Sequence, residues 1–310
     1  MPEFRIRSTQ TVRLVAVVLC SCGASFAVHA EGAQEARTWG LPWLAGTAES
    51  RGVNLPRPLG VGAMAVHYRE DLTLDELVLS ADTGQRGGVD FIDIDNAEIT
   101  TEILQLRFDA WLFPFMNVFA MVGLADNDVS ADYSFQGDDL IAFLGDESRC
   151  APDASPRPAA CDMTFTGEIG QKPEGASYSL GTLLAVGRGS YFALAGISYT
   201  WNDVDTVDDS IETLAVSPRF GRRFEVNGGE VAVYAGGLYL DSDVQLSKQL
   251  TFAAPDGDIE VTITTYEQNA KRWSYVAGAS WDVSRDWNIQ GEVGYGSSRE
   301  GVLASVTRRF

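Results

Sequence analysis

The sequence predicts an all-β fold: a transmembrane, antiparallel up-and-down barrel of ten strands, with twelve as the alternative. Three observations carry that expectation. No segment after residue 30 approaches 18 continuous apolar residues, so no helical span is predicted there. Runs of about ten residues instead alternate apolar with polar side chains, the signature of a strand with lipid on one side and a polar lumen on the other. The connections between these runs alternate between short and long, as a barrel with one tight end requires.

The composition is that of a folded chain. It has 310 residues, 45% hydrophobic and 21% charged, with 31 glycines, which argues against a disordered or fibrous protein. A formal net charge of −20 makes nucleic-acid phosphates a poor partner, and none is expected.

The first element in the chain is an export signal over residues 1–30. Arg5, Arg7 and Arg13 precede an apolar stretch from Leu14 to Val28, and Val28-His29-Ala30 forms a small-residue cleavage site. A membrane helix is disfavoured by Cys20, Ser21, Cys22, Gly23 and Ser25 within that stretch. Leu19-Cys20-Ser21-Cys22 loosely resembles a lipid-attachment box, although small residues are ordinary in signals. Residues 31–58 stand apart from the strands. They carry a cluster of Trp39, Leu41, Trp43 and Leu44 and a stiff lead, Leu55-Pro56-Arg57-Pro58, and are expected to be a periplasmic tether or a small plug.

Strands are predicted near 59–69, 101–113, 116–126, 176–187, 190–201, 211–222, 230–241, 271–283, 286–296 and 302–310. In the second, Leu104, Leu106, Phe108, Ala110 and Leu112 alternate with Gln105, Arg107 and Asp109. In the eighth, Trp273, Tyr275, Ala277, Ala279 and Trp281 alternate with Ser274, Gly278, Ser280 and Asp282, with Val276 interrupting the polar row. In the ninth, Ile289, Gly291 and Val293 alternate with Gln290 and Glu292. An Arg, an Asp or a Glu in such a run must face something polar. Gln105, Arg107, Asp109, Arg219, Asp282, Gln290 and Glu292 are therefore expected to line the lumen. The twelve-strand alternative arises because Leu72 to Ser80 and Gly88 to Ile94 are able to form a hairpin that enters the barrel or extends above it.

Aromatic residues gather at both ends of these runs. Trp111, Phe113, Phe115, Tyr191, Phe192, Phe220, Trp281, Trp287 and Phe310 lie by the short turns, and Tyr68, Tyr178, Tyr199, Trp201, Tyr239, Trp273 and Tyr295 towards the long loops. Two interfacial girdles are the expected reading. At the C-terminus, Val302, Ala304 and Val306 alternate up to a terminal Phe310, with Arg308 departing from the apolar row.

On these features residues 59–310 resemble the bacterial outer-membrane β-barrel proteins, and the terminal Phe310 is similar to the strand signal read by that family's assembly machinery. The resemblance implies an outer-membrane location and both termini in the periplasm. It also implies contact with membrane lipid and lipopolysaccharide, and passage through periplasmic chaperones. It assigns no substrate or extracellular partner.

The presumed outer loops hold nearly all of the net negative charge, leaving the rest of the mature chain close to neutral. Clusters such as Asp90, Asp93 and Asp95, Asp126 and Asp128, Asp138 and Asp139, or Asp203, Asp205, Asp208 and Asp209 are candidate sites for a loop-bound calcium or magnesium ion. None has the spaced calcium-loop pattern, so a solvated acidic surface and no cofactor are expected. Cys150 and Cys161 are the only cysteines after the signal and share the longest loop, which predicts a disulfide in an exported chain. His67 is the only histidine of the mature chain. The multi-residue histidine and acid arrangement of the ten-stranded omptin proteases therefore cannot be assembled. A lipid hydrolase pairing His67 with a serine is the enzymatic alternative, without a G-x-S-x-G motif to support it. The expected function is a narrow, cation-preferring, porin-like channel, with a non-conducting surface or structural barrel as the alternative.

Overall fold

Each of the ten alternating runs is a strand in the computed structural model of the protein, which describes residues 40–50, 55–81, 86–204, 211–227, 229–252, 259–269 and 271–310. The predicted signal therefore lies outside the described residues. In chain order the elements are a short helix α1 (Ala45–Glu49) and strands β1 (Leu59–Ala81), β2 (Arg86–Gly88), β3 (Asp93–Phe113) and β4 (Met116–Gln136). A second helix, α2 (Gly137–Phe143), leads to β5 (Thr164–Gln171), β6 (Glu174–Arg188), β7 (Tyr191–Val204) and β8 (Ile211–Val226). The chain ends with β9 (Gly229–Phe252), β10 (Ile259–Asn269), β11 (Trp273–Asp282), β12 (Trp287–Tyr295) and β13 (Arg299–Arg309).

Ten of these strands close into an antiparallel barrel in the order β1, β3, β4, β6, β7, β8, β9, β11, β12, β13. Closure is made by β1. It pairs with β3 from Leu59↔Ala110 to Asp71↔Glu98, and with β13 from Gly60↔Arg309 to Glu70↔Arg299. Following the register once around returns about 12 residues further along β1. For ten strands spaced ~4.8 Å apart this corresponds to a tilt of about 40° and a backbone wall about 10 Å from the axis. The tight connections Phe113–Met116, Arg188–Tyr191, Val226–Gly229 and Asp282–Trp287 all lie at one end.

The alternation separates two environments. Leu106 is 53% exposed on the outer face while its neighbour Gln105 is 4% exposed inside. Leu104, Phe108, Val122, Leu124, Leu180, Val186, Ile197, Val233, Val293 and Val302 are likewise exposed large apolar residues on outward rows. No aqueous protein tolerates such a continuous apolar belt, and a bilayer explains it.

Three aromatic assignments need correction. Phe192 and Tyr68 sit on inward rows, Phe192 only 5% exposed, and Trp111 turns inward with its Nε1 buried. Side-chain parity, rather than nearness to a strand end, decides whether a ring meets lipid. The girdles are carried by Phe115, Tyr191, Phe220, Trp281, Trp287 and Phe310 at the tight end, and by Tyr178, Trp273, Tyr275 and Tyr295 at the other. Arg308, which breaks the terminal apolar row, lies 5.8 Å from the Trp287 ring and 5.1 Å from the Phe310 ring, so cation–π contacts accommodate its charge at the interface.

At the long-loop end β1, β3, β4 and β9 run well beyond the predicted limits. Leu72 to Ser80 simply continues β1 and pairs with β10, and Arg86–Gly88 pairs with Val78–Ser80, so the extra hairpin extends above the barrel and the count stays at ten. A bulge between Leu74 and Glu76 in β1 and another between Asp95 and Glu98 in β3 shift the register, Asn96 adopting φ 52° in the latter. One extra residue flips every later side chain to the opposite face. Leu77, Leu79, Ile92 and Ile94 thereby join Tyr133 and Phe135 of β4 on one side, where Leu140 of α2 and Phe165 of β5 complete a small apolar core. The disulfide joins Cys150 to Cys161 within this cap, Cα to Cα 5.5 Å.

Candidate functional site

The lumen is built from the inward rows, and its long side chains lie along the wall. Several reach over a neighbouring strand at a glycine. Asp109 on β3 crosses β1 above Gly60 to accept a 3.0 Å hydrogen bond from Arg309 Nη1 on β13. Gln105 on β3 crosses β4 above Gly123 to donate to Ser177 Oγ on β6, 3.0 Å away. Tyr234 on β9 crosses β11 above Gly278, where a Cβ would come within 2.6 Å of its hydroxyl, and accepts a 2.8 Å bond from Gln290 on β12. The rings of Phe119 and Phe192 cover Gly181 and Gly221 in the same way. Glycine is required here for space, because any side chain would occupy the floor on which the longer residue rests.

Charges in the lumen are paired. Arg219 on β8 donates from Nε and Nη2 to Glu292 on β12 at 2.7 and 2.8 Å, and its guanidinium lies 5.8 Å from the Tyr234 ring. Towards the tight end, Asn117 donates to Asp109 at 2.7 Å, Arg107 donates to Asn117 at 3.3 Å, and Arg107 stacks 4.3 Å over Phe119. Towards the long-loop end, Arg299 on β13 makes a two-pronged pair with Glu70 on β1, one arm at 3.0 Å. Desolvated charges persist beside an opposite charge, with Arg107 and Arg309 sharing Asp109. Asp282 sits at the tight end and accepts from Asn288 at 2.7 Å.

All seven residues expected in the lumen are thus on inward rows, but the network also uses residues that sequence reasoning left out. Arg309, Asn117 and Tyr234 are partners of the flagged residues, Glu70 and Arg299 form a further pair of their own, and no local pattern in the sequence marks any of the five. They become legible only after the register is known, since Arg299 and Glu70 are paired across the closing seam of the barrel.

No protein-family model matches the chain, and no curated protein matches its sequence. Solved structures give weak likenesses. The transport unit of the autotransporter AIDA-I from Escherichia coli shares 9% identity over 82% of this chain and 90% of that one, with a TM-score of 0.34. The outer membrane protease OmpT from Escherichia coli shares 11% over 82% and 97%, with a TM-score of 0.39. The Pseudomonas putida toluene transporter TodX shares 8% over 82% and 91%, with a TM-score of 0.29. The outer-membrane type of this barrel accordingly rests on its own closure, belt and girdles.

The remaining candidates fall outside the lumen. His67 faces outward and is 3.4 Å from Glu102 across the β1–β3 pair, and among the described residues no hydroxyl is hydrogen-bonded to it. Of the acidic clusters, Asp138 and Asp139 occupy the first turn of α2, where carboxylates favour the helix N-terminus. Asp128 is paired with Lys172 at 2.9 Å, and Asp132 accepts from Asn96 at 2.9 Å. Asp203 is exposed, while Asp205, Asp208 and Asp209 lie outside the described residues. Among the described residues no group of three or more His, Cys, Asp or Glu is arranged to hold a metal ion. In the N-terminal segment, Trp43 donates its backbone N–H to Leu112 O at 2.8 Å and meets the Phe113 ring edge-on at 5.4 Å, tying this segment to the β3–β4 turn.

Proposed function

We propose that the protein is a narrow, porin-like channel of the bacterial outer membrane, with its tight turns and both termini in the periplasm, its apolar belt against membrane lipid and lipopolysaccharide, and Phe310 as its assembly signal. The observation that carries this reading is the disposition of the lumen side chains over glycines. With the backbone about 10 Å from the axis, Gln105, Asp109, Phe119, Phe192 and Tyr234 fold against the wall over glycines instead of extending to the axis, as an open path requires. Acidic residues concentrated in the outer loops favour cations at the mouth, which gives any ion current a modest cation preference.

The competing reading is a non-conducting surface or structural barrel, favoured by the paired cluster of Arg107, Asp109, Asn117 and Arg309 near the tight end. Refolded protein in planar bilayers separates the two. Discrete conductance with a cation-selective reversal potential under a salt gradient is expected. Folded protein that stays silent rejects the channel and leaves the surface barrel, and anion selectivity rejects the loop-charge argument alone.

A further inference from the structure

We infer that the lumen selects uncharged amphipathic small molecules, an apolar ring or chain bearing a hydroxyl group, over ions; the inference rests on the channel reading above. Midway along the barrel the two opposite walls differ in chemistry. On one wall Val66 of β1 is paired directly with Ile103 of β3 and with Leu303 of β13, and Met64 lies one pleat below. All four are on inward rows and remain partly exposed, unlike a packed core. On the other wall Ser179, Thr200, Thr213 and Ser242 of β6, β7, β8 and β9 form one continuous paired row. The hydroxyls of Ser179 and Thr200 are 2.8 Å apart, and those of Thr213 and Ser242 also 2.8 Å.

The strand order puts β1 and β8 diametrically opposite, so the apolar and hydroxyl rows face each other across the axis. Neither row contains a charged side chain. The lumen charges lie above it, in the Glu70–Arg299 pair, or below it, in the Arg219–Glu292 pair and in Asp109, which Arg107 and Arg309 share, so none of them sits at the level of the two rows. An ion crossing this level loses water against an aliphatic wall and gains no countercharge. A neutral amphiphile loses little. Its apolar side covers Val66, Ile103 and Leu303, and its hydroxyl replaces water on the opposite row, where Ser179, Thr200 and Thr213 present hydroxyls that both donate and accept.

Thiol reactivity in the lumen tests this directly. In the Leu303→Cys protein prepared without the predicted signal, which carries Cys20 and Cys22, the remaining native cysteines are tied up in their disulfide, so the introduced thiol is the reactive one. Its rates with benzyl, trimethylammonioethyl and sulfonatoethyl methanethiosulfonate, each divided by the rate in unfolded protein, should favour the benzyl reagent at least tenfold. Benzyl alcohol should slow that reaction, and glycerol should not. Val66→Cys serves as the second variant should the first fail to fold. Equal or faster labelling by either charged reagent overturns the inference, as does a folded protein that reacts with none of them. Bilayer recordings of the same preparation keep the two readings apart. A conducting barrel that prefers the charged reagents loses the selectivity and keeps the channel, whereas a folded barrel that is silent rejects the channel and, with it, the selectivity that rests on it.

Discussion

Three strands, β1, β3 and β4, run through both the barrel wall and the cap above it, with opposite polarity in the two. In the wall, Leu104 and Leu106 point out and are exposed, while Gln105 and Asp109 point in and are buried. In the cap, Leu79, Ile92 and Phe135 are buried together under α2, and the charged residues are outside. The strand period is the same in both regions. What differs is the solvent, hydrocarbon below and water above, and the bulges in β1 and β3 are the devices that re-aim the side chains where one gives way to the other. The wall needs its polar groups satisfied across the lumen, whereas the cap needs an ordinary apolar core and receives a disulfide to help it.

The largest expected effect breaks the wall from inside. Glu292→Ala leaves Arg219 desolvated without its carboxylate and should destabilise the barrel by about 3–5 kcal/mol in urea unfolding from lipid vesicles. An unchanged midpoint would show that water in the lumen already screens this pair. Breaking the wall from outside should cost slightly less. Leu106→Arg puts a charge into the lipid belt and should destabilise by about 2–4 kcal/mol near mid-bilayer, whereas Leu106→Ala keeps the belt apolar and should cost less. Equal effects of the two substitutions would remove lipid as the reason for the outward row.

The cap should respond separately. Replacing Cys150 and Cys161 by Ser frees a loop closed over a sequence separation of 11, worth about 3 kcal/mol of local stability on the chain-entropy model. Hydrogen exchange should rise over residues 137–165 and stay unchanged in the wall. Spread of the effect into β11–β13 would mean that wall and cap unfold as one unit. The smallest effect is acid sensitivity. Asp162 is held below the usual carboxylate range by its hydrogen bond from Arg157. Its contribution is therefore present above the unfolded value near 3.9 and fades as pH falls through the lower folded value. Exchange over residues 150–165 should quicken only in that acidic window, and Asp162→Asn should abolish the pH dependence.

How much could be read from the chain varied with how local the signal is. All ten wall strands were legible, since lipid on one face forces a period of two within each segment. The seven flagged lumen residues were legible for the same reason, a charge in an alternating run having nowhere else to go. The pairings were not, because Arg219 is 73 residues from Glu292, Asp109 is 200 from Arg309, and the unflagged Glu70 and Arg299 are 229 apart. The upper ends of β1, β3, β4 and β9 were missed because above the membrane the alternation no longer reports lipid. Rings placed by nearness to a turn went astray at Tyr68, Trp111 and Phe192, where parity overrides position.

By itself, then, the sequence determined the barrel: ten alternating segments, tight end, apolar belt and a cysteine pair, each set by short-range pattern or by the count of available residues, with the count of ten rather than twelve strands left to the structure. Only the tertiary structure decided which side chains share the lumen, that an aliphatic row faces a hydroxyl row, and that the long β1–β3 hairpin becomes a capped extension with its own core. These depend on shear and on two single-residue bulges. A register shift of one residue leaves the composition and hydropathy of a strand unchanged while reversing what each of its faces meets.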